Sequence, residues 1–294
     1  MLTIITATKP FVGPIGMIQR NAIRSWTQLS PRPQVILFGT EAGVAECAAE
    51  FGLRHIPEVA RNGYGTPLLS DIFAQAERAS KNPLFAYVNG DIILTGEFMR
   101  ALAIVQSALP AFLAVGRRTN LDVREPLDFS GNWEESLKAR VRREGVLESH
   151  TGIDLFAFPR GTYREVPALA IGRVWFDQWC IKYARKRGIP VVDITGFAPS
   201  VHQIHDYGHV AGGKQWVYGG PEADENLAFY GERPHTYTIL SSTHGLTASG
   251  RIRRYAWRPQ YFMARNFLWK LLIQRTFPLR NRLGLRRSRP EPTQ

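Results

Sequence analysis

Cysteine is nearly missing from this 294-residue sequence: there are two, Cys47 and Cys180, far apart and each in an apolar stretch of helical pattern. No disulfide framework or CxxC metal site can be built from them, and two buried, reduced thiols fit a cytoplasmic protein. A membrane-length apolar run is missing as well. The longest charge-free apolar stretch, between Arg100 and Arg117, is broken by Gln106, Ser107 and Pro110, which predicts a helix end, a turn and a strand. The opening MLTIITAT has no basic segment ahead of an apolar block and reads as a strand, so no secretory leader is expected. HExxH is absent, which leaves a zinc hydrolase poorly supported. Acidic residues are absent from 251–290, where twelve Lys or Arg stand.

What is present is enough for a core. Hydrophobic residues make up 44% and aromatics 11%, which excludes general disorder, while 26 Gly and 19 Pro imply many loops between short elements. The net charge of +12 belongs to the C-terminal segment, because before position 251 there are 25 basic and 24 acidic residues. Such a segment speaks of its own partner rather than of the body's.

Apolar runs alternate with helical patterns over the first 120 residues. The predicted strands are LTIITAT, QVILFG, LRHIP, PLFAYVNGDIIL with its exit loop, and AFLAVGRR. Between them lie helices over MIQRNAIRSWTQL, EAGVAECAAEFG, TPLLSDIFAQAERAS (Thr66 as N-cap, Pro67 at the first helical position) and GEFMRALAIVQSA. Residues 119–151 read as a polar insertion with a helix over NWEESLKARVRREG, followed by the strand IDLFAFP, the helix RVWFDQWCIKYARKRG and the strand PVVDIT. Strands separated by single helices predict an α/β fold: an open, mostly parallel Rossmann-like sheet with helices on both faces. The organisation expected is a body over 1–245, with halves 1–118 and 119–245, and a basic amphipathic extension over 246–294.

Ligands of open α/β sheets bind at the carboxyl ends of the strands. Asn89 and Asp91 close the fourth strand, Arg117 and Arg118 the fifth, Asp154 begins a strand after Gly152, and His202, His205, Asp206 and His209 follow PVVDIT. Asp91 can offer a carboxylate to a hard divalent cation or simply serve as a turn residue. One of the three histidines, first His202, is a candidate nitrogen ligand for a borderline metal; loop hydrogen bonding is the alternative. Asp177, at a helix start beside Trp175, Phe176 and Trp179, is a candidate general base or a favourable first-turn acid. The aromatics read as core or as a platform for an acceptor. Arg117, Arg118 and Lys9 are candidates for phosphate, with a solvated strand end as the other reading.

On ITATKP, NAIRSW, the strand-end NGD, FDQW and the late strand-end His, residues 1–215 resemble the GT-A-type nucleotide-diphospho-sugar transferases, especially the family-two-like bacterial enzymes. The resemblance implies a hexosyl-type glycosyltransferase with a nucleotide-sugar donor, a carbohydrate or other hydroxyl acceptor, and Mn²⁺ or Mg²⁺. It implies that the family's Asp-x-Asp metal motif falls on Asn89 and Asp91, with one carboxylate lost, and that the late His is His202 or, second, His205. The family's Glu-Asp pair falls on Phe176 and Asp177, making Asp177 the base if configuration inverts. Thr6, Lys9, Asn89, Arg117 and Arg118 then face the donor, and Asp154 and Trp175 the acceptor.

Two rivals remain open. A sugar-phosphate nucleotidyltransferase shares the sheet and the metal Asp, but ATKPFVGPIG lacks the Arg of a triphosphate-cradling loop. A nucleic-acid-binding protein rests on the basic segment alone, with Tyr255, Trp257, Tyr261 and Trp269 for stacking, and the neutral body argues against it. Residues 251–290 mix Arg with Phe262, Phe267, Leu271 and Leu272. They are expected either to meet an anionic membrane surface from the cytoplasmic side or to dock on the body.

Overall fold

The computed structural model describes residues 1–206, 213–231 and 236–255. In chain order the elements are β1 (Leu2–Ala7), α1 (Gly13–Thr27), β2 (Gln34–Phe38), α2 (Val44–Phe51), β3 (Arg54–Ile56), α3 (Leu69–Ala79), β4 (Leu84–Val88), β5 (Ile92–Ile93), α4 (Gly96–Ala108) and β6 (Leu113–Leu121). There follow α5 (Trp133–Glu144), β7 (Val146–Leu147), β8 (Ile153–Pro159), α6 (Phe176–Lys186), β9 (Val191–Asp193), β10 (Ser200–Gln203), α7 (Gly213–Gly219), α8 (Pro221–Tyr230), β11 (His244–Leu246) and β12 (Ile252–Arg254).

The main sheet runs in the order β12-β11-β9-β6-β8-β4-β1-β2-β3. β1 pairs in parallel with β2 and β4, β2 with β3, and β9 with β6 and β11, whereas β8 is antiparallel to both β4 and β6. The fold is the expected open α/β sheet with parallel pairs in the majority. Period-two alternation divides the core between its faces. Leu84, Ala86 and Val88 of β4 pack with Trp26 of α1, Val44 of α2 and Phe98 of α4 on one face. Phe85 and Tyr87 pack with Ile72 and Phe73 of α3 and Ile181 of α6 on the other. Trp26 is fully buried and its indole N–H donates to the Ile92 carbonyl at 2.8 Å, so truncating it to Ala is expected to cost about 3–5 kcal/mol.

Four boundaries differ from the sequence reading. α3 starts at Leu69, not at a Thr66 cap, because Pro67 and Leu68 are held in β-bridges to Arg61 and Ala170. α6 starts at Phe176 rather than Arg173, because Trp175 has φ 82° and sets the chain at an angle to the helix. β6 does not end at Arg118: a bulge between Val115 and Arg117 bends the strand and it continues to Leu121, carrying Arg118 and Asn120 onward. A Cβ on Gly116 at this bulge would meet Ser200 Oγ at 2.9 Å, so a side chain there would have to turn the Ser200 hydroxyl aside. Beyond the bulge β6 pairs with β10, which pairs in turn with β5. His202 therefore lies inside a strand of its own, opposite Asn120, rather than in the loop after β9. At the C-terminal end, β11 and β12 carry the sheet through position 245 as far as Arg254.

Candidate active site

A cleft of about 900 Å³ opens at the carboxyl ends of β1 and β4 and is lined by Lys9, Asn89, Asp91, Arg118, Asp154, Asp177, His202 and His205 among others. The NGD turn is pinned on two sides: the Ile92 N–H donates to the Asn89 carbonyl at 3.1 Å, and the Asn89 N–H to the Asp154 carbonyl at 3.0 Å. The loop after β1 is pinned by α1. Gln19 accepts from the Lys9 N–H at 2.7 Å and returns its own amide to the Lys9 carbonyl at 2.8 Å.

Asp91, His202 and His205 each bring one ligand atom into a group spanning no more than 4.8 Å. Asp91 Oδ2 lies 3.0 Å from His205 Nε2 and 3.9 Å from His202 Nε2, while its Oδ1 is buried without a hydrogen-bond partner. The neighbours fix the tautomers. Asn120 gives its amide N–H to Glu148 at 2.9 Å, so its oxygen faces His202 Nδ1, also at 2.9 Å, and Nδ1 must carry the proton. His205 Nδ1 is 2.6 Å from the Asp206 carbonyl, which can only accept. In the neutral imidazoles both Nε2 lone pairs therefore turn toward the Asp91 carboxylate, and three acceptors converge on one point. A cation satisfies all three, and a carboxylate with two imidazoles is a donor set for a borderline divalent metal such as Mn²⁺ more than for Mg²⁺. The residues fit a metal.

Without a cation the same place must be filled by protons. Burial alone would raise the Asp91 carboxyl, but a His205 ring that donates to it, together with the positive charges of a protonated His202, of Lys9 and of His205, outweighs burial and holds the group well below the ordinary carboxylate range. Burial lowers the His202 imidazole against the opposing pull of Asp91 and Asp154, which favours the neutral, ligating form. Burial likewise lowers Lys9, whose Nζ lies 3.3 Å from His205 Nε2 and 3.8 Å from Asp91 Oδ2.

Asp154 is the hub of a second cluster. It accepts from Asn89 Nδ2 at 2.6 Å and from Arg118 Nη1 at 3.0 Å, and Arg118 also meets Glu148 at 3.5 Å. Arg118 thus already faces two carboxylates, which hold its guanidinium firmly charged; it anchors Asp154 rather than standing open to phosphate. Bonded through its nitrogen, Asn89 keeps its side-chain oxygen as the group it can offer within the cleft.

Asp177 sits in the first turn of α6, where Gln178 accepts from the Trp175 N–H at 2.8 Å. Its Oδ1 is buried without a hydrogen-bond partner, and burial, reinforced by the nearby Asp154 charge, pushes its carboxyl up to about 7 against the pull of backbone bonds and Arg118. A carboxylate near neutrality in a cleft has the basicity that deprotonating a hydroxyl asks for.

Three other expected site residues do not line this cleft. Thr6 is fully buried within the paired part of β1, opposite Leu37, and the cleft begins after it at Ala7 and Thr8. Arg117, at the bulge itself, is absent from the lining, and its N–H donates to Thr195 Oγ1 at 2.9 Å. Trp175 is half-buried and packs its ring on Tyr230, 5.1 Å between centroids, against the edge of the core and outside the lining of the cleft. His209 and everything beyond Tyr255 lie outside the described residues.

The sequence reading missed Gln19, Asn120 and Glu148, whose roles depend on a helix face and on strand pairing. It also missed the rim. Glu222, fully buried on α8, accepts from Arg173 Nε at 2.7 Å, Asn62 Nδ2 at 2.9 Å and Trp216 Nε1 at 3.0 Å, and so ties α7 and α8 to the loop before α3. Tyr64 stands edge-on to Trp216 at 6.0 Å along the same wall.

No family model matches the chain, and no curated protein does. Solved structures do resemble it, the following three at low identity. A mannosyltransferase from Pyrobaculum calidifontis in complex with GDP-Man and Mn²⁺ matches at 14% identity and TM-score 0.44, over 71% of this chain and 58% of that one. Glucosyl-3-phosphoglycerate synthase from Mycobacterium tuberculosis, with Mg²⁺ and UDP, matches at 14% and TM-score 0.41, over 70% and 72%. S. aureus TarS (residues 1–349), with UDP-GlcNAc, matches at 11% and TM-score 0.33, over 42% of this chain, which spans 36% of it.

Proposed function

We propose that this chain is a glycosyltransferase that moves a hexosyl group from a nucleotide-diphosphate donor to a hydroxyl acceptor with the help of a divalent cation. The observation that carries the reading is the convergence of Asp91 Oδ2 and the two Nε2 atoms of His202 and His205 on one point of a cleft that also contains Asp177. Asp91, His202 and His205 would hold the cation, Mn²⁺ by preference, and its charge would stabilise the departing diphosphate.

The rest of the chemistry falls to side chains. Lys9 brings a second positive charge to the donor end, and Asn89 an amide oxygen. Asp154, held by Asn89 and Arg118, is aligned for sugar hydroxyls. Asp177 takes the acceptor proton, for which its raised proton affinity suits it. The acceptor would enter along the wall of Tyr64, Trp216 and Arg173. Residues 1–118 then supply most donor contacts and 119–245 the acceptor side, with the basic segment as a separate, surface-binding extension.

A thermal-shift panel tests the reading. A nucleoside diphosphate with Mn²⁺ should raise the melting temperature by more than the two effects summed. Stabilisation by a nucleoside triphosphate alone would favour nucleotidyl transfer instead, and by oligonucleotides alone, nucleic-acid binding.

A further inference from the structure

We infer that Lys9 and the divalent cation compete for the same ligands, so that Lys9 must leave the metal site when the cation enters. This rests on the metal reading of the Asp91–His202–His205 cluster.

The argument is one of lone pairs. His205 Nδ1 carries a proton, because it meets the Asp206 carbonyl at 2.6 Å; the neutral ring then has one lone pair left, on Nε2. That lone pair lies 3.3 Å from the Lys9 ammonium, which has only donors to give. The same ammonium is 3.8 Å from Asp91 Oδ2, and Oδ2 is itself 3.0 Å from His205 Nε2. Two acceptors so close together repel unless a positive centre serves both, and Lys9 is that centre here. A metal ion would need the Nε2 lone pair and the Oδ2 charge for itself. An imidazole nitrogen cannot serve both at once, and two cations around one carboxylate repel.

Lys9 has somewhere to go. Its side chain is 32% exposed and sits on the loop after β1, while its backbone is fixed at both ends by Gln19, so the side chain can turn without moving the loop. Swung outward, the ammonium faces the open cleft, where the anionic oxygens of a diphosphate would meet it. Cation and diphosphate should then bind with positive coupling, because the cation expels Lys9 and the diphosphate receives it.

Calorimetric titration of Mn²⁺ alone into the full chain, without nucleotide, tests this in wild type, Lys9→Met and Lys9→Gln. Each variant should bind Mn²⁺ on the order of tenfold more tightly than wild type. Inorganic pyrophosphate should tighten Mn²⁺ binding in wild type and clearly less in the variants. Lys9 in wild type should also acetylate faster once Mn²⁺ is added, read by peptide mass. Equal Mn²⁺ affinity in all three proteins, with Lys9 labelling unchanged by the metal, overturns the competition while leaving the metal site standing. No Mn²⁺ binding by any of the three overturns both.

Discussion

Asn120 Oδ1 lies 2.9 Å from His202 Nδ1, at the one point where β6 and β10 put these two residues directly opposite each other. Since the Asn120 amide nitrogen is committed to Glu148, the contact dictates which ring nitrogen of His202 carries the proton and which one looks into the cleft. A residue outside the converging set therefore decides whether His202 can serve as a metal ligand.

Asn120→Ala should weaken Mn²⁺ binding by about 10- to 100-fold in calorimetry, the usual cost of losing an outer partner of a ligating histidine. The melting temperature should move little by comparison. Wild-type Mn²⁺ affinity in this variant would remove His202 from the ligand set.

Asp91→Ala should abolish Mn²⁺-dependent nucleoside-diphosphate binding while the far-ultraviolet dichroism stays native. It deletes the only carboxylate among the three converging ligand atoms. Unchanged diphosphate affinity with Mn²⁺ present would refute the metal role.

Asp177→Asn should leave donor binding intact and lower transfer by about 10²- to 10⁴-fold. In wild type kcat should climb with pH and level off above about 7, where the carboxylate form dominates. The stability follows with the opposite sign. The folded state holds this proton up to about pH 7, whereas an unfolded Asp releases it near pH 4, so wild type loses stability relative to the Asn variant between these values, by up to about 4 kcal/mol, and then stays level. Parallel pH–melting curves for the two proteins would exclude the raised carboxyl.

Glu222→Ala strands Arg173, whose side chain is only 14% exposed, and removes the acceptor shared by Asn62 and Trp216. It should cost about 3 kcal/mol in urea unfolding. The loss should be largest in the region of α7 and α8, read by faster amide exchange over 213–231.

Liposome flotation of the full chain against residues 1–255 tests the basic segment. The cut belongs after β12, since Ile252–Arg254 are paired into the sheet. The full chain should float with anionic vesicles and the shortened one should not; equal binding by both would dismiss the membrane role.

The order of strands and helices was legible because alternation in LTIITAT and PLFAYV and the helical repeats between them are local properties, and each of those strands is paired in the main sheet. The strand-end position of Asp91 followed from the same pattern. Asp154 and His202 were singled out for proximity to strand ends, but their partners were not. The pairing of Asn120 with His202 needs a bulge after Val115, and nothing in the local pattern there distinguishes a bent strand from one that ends. Thr6 and Trp175 were drawn in by their neighbours in the sequence, but Thr6 is buried within the sheet and Trp175 turns its ring onto Tyr230, so neither lines the cleft.

By itself, then, the sequence determined an open α/β body, a carboxylate at the end of β4 and a basic extension, since periodicity and composition act over a few residues at a time. Only the tertiary structure decided that Asp91 meets two imidazole lone pairs and a lysine, that Asp154 is claimed by Asn89 and Arg118, and that Asp177 keeps its proton near neutrality. Those outcomes depend on distances between residues up to 114 positions apart and on the loss of water around them, which no stretch of sequence contains.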